Sequence, residues 1–291
     1  MATLDLRPLS LGELLDRTFS LYRRHFLLFI GIAAIPYSIF FVINLGAALF
    51  PVIARTAGAG KLGAPGVATL AAGGILALIA VFIASIAFLF SVGGTVFAVS
   101  DLYLGRQTTI RESLGHVRGY AGTIFGVSLL SGLLVGVGFI ALVIPGIYLM
   151  CRVCVATAAA LLEDKGPSDS IRRSFELTRD FAGRGFMIYL LYFALLGVAA
   201  IFQAPFGVMA GLSAKQPQML ALWTILAQVG NFIGSVLIAP VSTISFALFY
   251  YDLRVRKEAF DLQMMMQAVG GDPAPPAITG GVPSMFGRDA S

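Results

Sequence analysis

A chain of 291 residues in which 58% are hydrophobic and 12% charged, with a mean hydropathy of +0.88, has the wrong composition for a soluble domain, where about a quarter of residues are charged. Lipid is the expected solvent. A net charge of +5 is compatible with nucleic-acid binding, but the basic residues cluster at the ends of apolar runs, which points to a membrane instead.

Taken in chain order, the first signal is Ser10 followed by Glu13, the spacing of a capping box, in which each side chain satisfies an orphan backbone donor at a helix start. Leu11, Leu14, Leu15, Thr18, Phe19 and Tyr22 then form one apolar stripe, with Glu13, Asp16, Arg17, Arg23 and Arg24 mostly elsewhere. This predicts an amphipathic helix of the kind that lies in the headgroup layer. Phe26 to Ile53 follows as the first apolar run. It exceeds the roughly 7–15 residues of a signal-peptide core, so it reads as a retained anchor. The run Ala68 to Leu104 comes after a Gly- and Ala-rich loop, Thr56 to Val67. Thr109 and Glu112 repeat the capping-box spacing ahead of a second amphipathic segment, and Thr123 to Ile144 is the third apolar run.

Pro145-Gly146 predicts a tight turn into the fourth run, Ile147 to Leu162, which contains Cys151, Arg152 and Cys154. The two cysteines sit three apart on one helical face, where a disulfide is not expected, and they read as small buried hydrophobes. A third amphipathic segment, Ser170 to Phe181, precedes the fifth run, Phe186 to Gly211; the sixth run is Leu220 to Tyr251. Most runs exceed the roughly 20 residues that cross a hydrocarbon core as a helix, and none alternates as barrel strands do. The expected fold is therefore all-α: a polytopic transmembrane helical bundle of about six spans with three amphipathic interfacial helices, forming one membrane domain over residues 1–262. Residues 263–291, rich in Pro and Gly, read as a disordered cytoplasmic tail.

Six spans place sixteen Lys and Arg residues on one side and only Arg55, Lys61 and Lys215 on the other, with Arg152 inside the fourth run. Cytoplasmic loops retain basic residues, so both termini are expected in the cytoplasm.

The three amphipathic segments share a phrase. An aliphatic residue (Leu15, Ile110, Ile171) is followed three positions later by a hydroxyl (Thr18, Ser113, Ser174), then by an apolar residue (Phe19, Leu114, Phe175) and, four further on, an arginine (Arg23, Arg118, Arg179). The spans that return to the same side end near an acid: Asp101, Glu163 and Asp252. The chain divides on this pattern into units of roughly 9–105, 106–165 and 166–256, and the three arginines are expected to pair with the three acids or with lipid phosphates. Regular solenoid stacking is excluded, because the matched positions lie 95 and 61 residues apart.

Within the bilayer, Gly122, Gly126, Gly132 and Gly136 in the third run, and Gly230 and Gly234 in the sixth, are spaced for close helix contact. Arg152 stands out, since a charge at depth costs at least about 2.5 kcal/mol and normally faces a partner or a wet cavity. Its expected companions are Asn44, Gln203, Gln228 and Asn231, or a lipid phosphate, and with Tyr148 these make up the candidate ligand or lipid contacts; the alternative is that Arg152 snorkels outward over roughly 9 Å. Pro36 and Pro205 interrupt the first and fifth runs, leaving room for a cleft. No catalytic constellation, metal site or cofactor motif is found: His25 and His116 both sit at the basic boundary, and no acidic pair or Ser-His arrangement lies within a run.

The opening RPLSLGELLDRTFSLYRRHF, the stretch IPGIYLMCRVCVATAAALLEDKGPSDSIRRSFELTRD and the ending FYYDLRVRKEAFDL resemble the glycerophosphoryl diester phosphodiesterase membrane-domain family, from about Arg7 to Leu262. The most telling positions are Pro145, Gly146, Tyr148, Leu149 and Arg152. The resemblance implies a multi-helix module of the bacterial cytoplasmic membrane without the catalytic phosphodiesterase domain, whose His and acidic metal ligands this chain lacks. The functional expectation is a non-catalytic integral membrane protein that organises lipids or partner proteins; the alternative is a transporter or channel for a lipid or small solute. Membrane lipids are the expected partners, with another membrane or cytoplasmic protein as a further candidate and no nucleic acid.

Overall fold

The computed structural model describes residues 8–56 and 67–258, with no strand among them. The boundary at residue 262 and the tail 263–291 lie outside the described residues, as does Lys61. The helices are α1 (Leu11–Arg24), α2 (Phe26–Thr56), α3 (Val67–Tyr103), α4 (Ile110–Val117), α5 (Ala121–Ala141), α6 (Val143–Val153), α7 (Ala156–Leu162), α8 (Pro167–Thr178), α9 (Ala182–Leu212) and α10 (Pro217–Glu258). A 3₁₀ turn, Arg118–Tyr120, joins α4 to α5. Among the described residues six segments are long and apolar enough to cross a membrane, the fourth being α6 and α7 together. The all-α expectation of about six spans holds.

Helix starts follow the local chemistry. Ser10 and Glu13 form the complete capping box of α1, and Thr109 and Glu112 that of α4, so two orphan N–H groups are satisfied at each start. Helix α8 begins differently, with Gly166 as its N-cap and Pro167 in its first turn. The ends of α3 and α7 also match each other. Gly105 takes φ +76° after α3 and Asp164 takes φ 50° after α7. Arg106 N–H then reaches back to the Asp101 carbonyl at 2.8 Å, and Lys165 N–H to that of Ala160 at 3.2 Å. This is the six-to-one bond of a Schellman stop, and it turns each chain sharply into the short helix that follows.

Helices α2 and α9 each pack on α10, and α3 packs on α2 and α10. Prolines Pro36 and Pro205 do not end their helices: α2 and α9 run through both positions. The discontinuity lies in the fourth span, between α6 and α7 at Cys154 and Val155. Both cysteines are free thiols.

The core is concentrated at one end of the bundle, the charged end, where Leu9 meets Asp252. Its largest fully buried side chains include Tyr250, Phe249, Phe29, Leu14, Ile32 and Leu177. The opposite, loop end exposes Ile140, Leu142, Ile144, Ile201, Phe202 and Leu212, an apolar surface suited to lipid rather than water.

The short amphipathic helices bury their apolar stripes against the bundle. Helix α1 runs antiparallel along α10: Leu9 N–H donates to Asp252 (2.7 Å), the Ser245 hydroxyl to Thr18 (3.4 Å), and the Tyr22 hydroxyl to the Leu237 carbonyl (2.9 Å). Helix α4 packs on α3, and α8 packs on α7, α5 and α6. Thr18, Ser113 and Ser174, the matched hydroxyls, are all fully buried in these contacts.

The glycine expectation needs correction. A Cβ at Gly122, Gly132 or Gly136 would meet nothing within 4 Å, because those positions turn away from the neighbouring helices. Close approach occurs elsewhere in the hairpin: a Cβ on Gly138 would lie 3.0 Å from the Gly146 Cα. Gly126 does meet a neighbour, Pro167, while Gly230 and Gly234 face Gln203.

Candidate functional site

Three polar features and two apolar grooves compete for function. At the charged end, Asp252 is 2% exposed and accepts hydrogen bonds from Leu9 N–H (2.7 Å), Arg184 Nη1 (2.5 Å) and Arg256 Nε (3.0 Å). Both arginines also donate to the Leu9 carbonyl, each at 2.5 Å. The start of α1, α9 and α10 are thereby locked together. Glu163 anchors a second cluster, receiving Arg173 Nε at 2.9 and 3.0 Å, the Tyr250 hydroxyl at 2.8 Å and Lys165 Nζ at 2.7 Å. Arg173 also pairs with Glu258, which holds Arg254 as well. Burial raises the Glu163 carboxyl, but hydrogen bonds from Lys165, Tyr250 and Arg173, with the Arg173 charge, outweigh it and hold the group below the ordinary carboxylate range.

The expected charge pairs are therefore not the observed ones. Among the described residues Arg23, Arg118 and Arg179 form no ion pair with Asp101, Glu163 or Asp252. Two of the acids are instead served by other arginines: Glu163 by Arg173 on α8, and Asp252 by Arg184 at the start of α9 and by Arg256 one turn beyond it.

Arg152 is 7% exposed, with Nε and Nη1 lacking hydrogen-bond partners. Its guanidinium carbon lies 4.8 Å from the centre of the Phe175 ring and 5.8 Å from that of Tyr148, so aromatic faces take the place of counter-ions. The Arg152 carbonyl, freed where α6 breaks from α7, accepts from the Ser174 hydroxyl at 2.7 Å and from Thr178 at 3.2 Å. This explains the hydroxyl of the third repeated phrase. Arg152 also lies closer to the charged end than its sequence position implies: neighbouring Cys151 and Cys154 face Gly185 in the first turn of α9, one residue from the Arg184–Asp252 pair.

The expected amide companions are elsewhere. Gln203 lies eighteen residues beyond Gly185 along α9, about 27 Å at 1.5 Å per residue, and faces Gly230 and Gly234. Asn44, Gln228 and Asn231 share a small recess between α2 and α10. Of the candidate ligand contacts, Tyr148 is the one that lies against Arg152.

The groove was not apparent from the sequence. A cavity of about 730 Å³ lies between α2, α3 and α4, walled by Ile35, Ile83, Ile86 and Phe90, with Arg111 and Arg118 on its α4 side. Helix α4 crosses α3 here because glycines admit it: a Cβ on Gly94 would lie 2.9 Å from Leu114, and one on Gly93 would lie 3.1 Å from Val117. Arg111 and Arg118 are seven residues apart, two turns along one face, and have no acidic partner among the described residues. That spacing, with Leu114 and Gly115 between, is the sequence signal that marks the wall. A second groove, about 250 Å³ and almost wholly apolar, lies between α3 and α5, and Ile86 and Phe90 line both.

Among the described residues no three His, Cys, Asp or Glu side chains converge as a metal site would require. No family model matches the chain, and neither does any curated protein or solved structure.

Proposed function

We propose that this multi-pass membrane protein is a non-catalytic module that holds phospholipid at the edge of its helical bundle. The observation that carries the reading is the groove between α2, α3 and α4, whose apolar walls end at Arg111 and Arg118. Apolar walls suit acyl chains, and unpaired guanidinium groups suit a phosphate, which arginine binds through a planar fork of donors. Basic pockets between membrane helices on the cytoplasmic side bind anionic headgroups in this way. On the same reading the charged end, with both termini, faces the cytoplasm of a bacterial cell, and the three short helices belong to three related units. Membership of the glycerophosphoryl diester phosphodiesterase membrane-domain family is proposed on the sequence motifs alone.

The test is to purify the protein with its native lipid and identify by mass spectrometry what copurifies, comparing wild type with an Arg111→Ala, Arg118→Ala variant. A phospholipid retained by the wild type and depleted in the variant is the expected result. Identical lipid complements would remove the support for the reading.

A transport role draws on one separate observation, the recess shared by Asn44, Gln228 and Asn231 in the loop-end half. Its consequence is solute flux in proteoliposomes that drops on Asn231→Leu; lipid retention at Arg111 and Arg118 does not depend on that residue.

A further inference from the structure

We infer that the site takes one anionic phospholipid with two acyl chains, straddling the ridge that Ile86 and Phe90 form on α3, one chain in each groove. This rests on the lipid-holding reading above and specifies its ligand.

The two grooves share that ridge and run side by side over residues 82–91 of α3, about 14 Å of helix at 1.5 Å per residue. The wider groove lies toward α2 and the narrower toward α5. Both reach the elbow where α4 passes through the turn Arg118–Tyr120 into α5. Arg118 borders the wide groove, and three residues later Ala121 borders the narrow one. A headgroup at Arg118 therefore stands at the common end of both grooves. A ligand with one charged head and two apolar tails fits that geometry, whereas a single-chain amphiphile would leave one groove unfilled. Arg111, on the same face of α4, supplies a second positive charge, and together the two favour an anionic headgroup over a zwitterionic one. Phe82, Ile83 and Ile86 are 57, 51 and 38% exposed, so the grooves open sideways and a lipid can enter from the bilayer.

Two glycines allow each groove to be closed separately. Gly115 borders the wide groove and Gly122 the narrow one, and a Cβ at either meets nothing within 4 Å, so a larger side chain can be introduced at each without a clash at its root. The experiment is native mass spectrometry of the full chain, titrated with two-chain phosphatidylglycerol or with its single-chain lyso form. Gly115→Phe and Gly122→Phe are each expected to weaken two-chain binding about tenfold. Each single variant should keep the lyso form, which moves to the open groove; the double variant should lose it. Arg111→Ala with Arg118→Ala should weaken both lipids.

If Gly122→Phe binds phosphatidylglycerol as tightly as wild type, the two-groove inference falls while the lipid-holding reading survives. If wild type binds neither lipid, both fall. A lipid-free dimer that Gly115→Phe dissociates would replace the lipid by a second copy of the chain. Wild type also answers without substitutions: phosphatidylglycerol carrying a photoreactive group in each chain should label peptides containing Ile35 and peptides containing Phe125. Labelling confined to one of the two overturns the straddling arrangement.

Discussion

At the scale of single residues, the most constrained group is Asp252. Its carboxylate is fully buried, and it takes two arginines and a backbone N–H from three separate elements. Asp252→Asn keeps the shape but removes the charge that Arg184 and Arg256 face. Removing one partner from a buried ion pair costs about 3–5 kcal/mol, so thermal unfolding in detergent is expected well below that of wild type. Loss of the α1 contact should appear at the same time as faster proteolysis near Leu9. Glu163 gives a pH signature. Its folded carboxyl is held below the ordinary value of 4.5, so the cluster contributes fully at neutral pH, and that contribution is lost as pH falls below about 4.5 through the depressed value. Wild type should lose stability progressively as the pH falls below about 4.5. Glu163→Gln should show lower stability at pH 7 and a flatter acid limb; an unchanged limb would mean that Glu163 is not the titrating group.

At the scale of elements, the three short helices share a job. Each uses one apolar stripe with a buried hydroxyl to cover the charged-end half of a span, α1 on α10, α4 on α3 and α8 on the α6–α7 pair. Much of this was legible in the sequence, because local chemistry decides it. Ser10 with Glu13 and Thr109 with Glu112 mark helix starts through bonds only three residues long, and the repeated hydroxyl marked the buried stripe. What the stripe packs against was not legible, since an amphipathic helix presents the same pattern to a headgroup layer as to a neighbouring helix. Gly122, Gly132 and Gly136 fail for a similar reason, while Gly126, Gly230 and Gly234 do meet neighbours. Spacing alone does not say which face of α5 meets α6, and Gly138, the glycine of α5 in close contact with α6, falls outside the counted series. Gly138→Leu should therefore separate the α5–α6 hairpin and lower the melting temperature, whereas Gly132→Leu, directed into open space, should leave it within the range of ordinary surface substitutions, about 0.5 kcal/mol. The turn before the fourth span was misplaced by the same limit of local reading: the chain turns at Leu142, and Pro145 and Gly146 stand in the first turn of α6, where a missing N–H leaves no helical bond unmade.

At the scale of the whole molecule, the asymmetry between a packed, arginine-rich end and a splayed, apolar end sets how the bundle sits in a membrane. Six crossings return the chain to its starting side, and the Leu9–Asp252 hydrogen bond puts the first and last described elements at the same end. The loop between α9 and α10 carries one basic residue, Lys215, while α4, α8 and the end of α10 carry many. Retention of Lys and Arg on the cytoplasmic side then predicts that the charged end faces the cytoplasm. With Cys151 and Cys154 replaced by serine, a single cysteine at Gln216, exposed between α9 and α10, should react with a membrane-impermeant maleimide on intact cells. A single cysteine at Gln107, exposed between α3 and α4, should react only after permeabilisation. The reverse pattern would put Arg111 and Arg118 on the outer face and remove the cytoplasmic leaflet as the source of their lipid. Labelling of both from outside would contradict the six-span count itself, because Gln107 and Gln216 lie at opposite ends of the bundle.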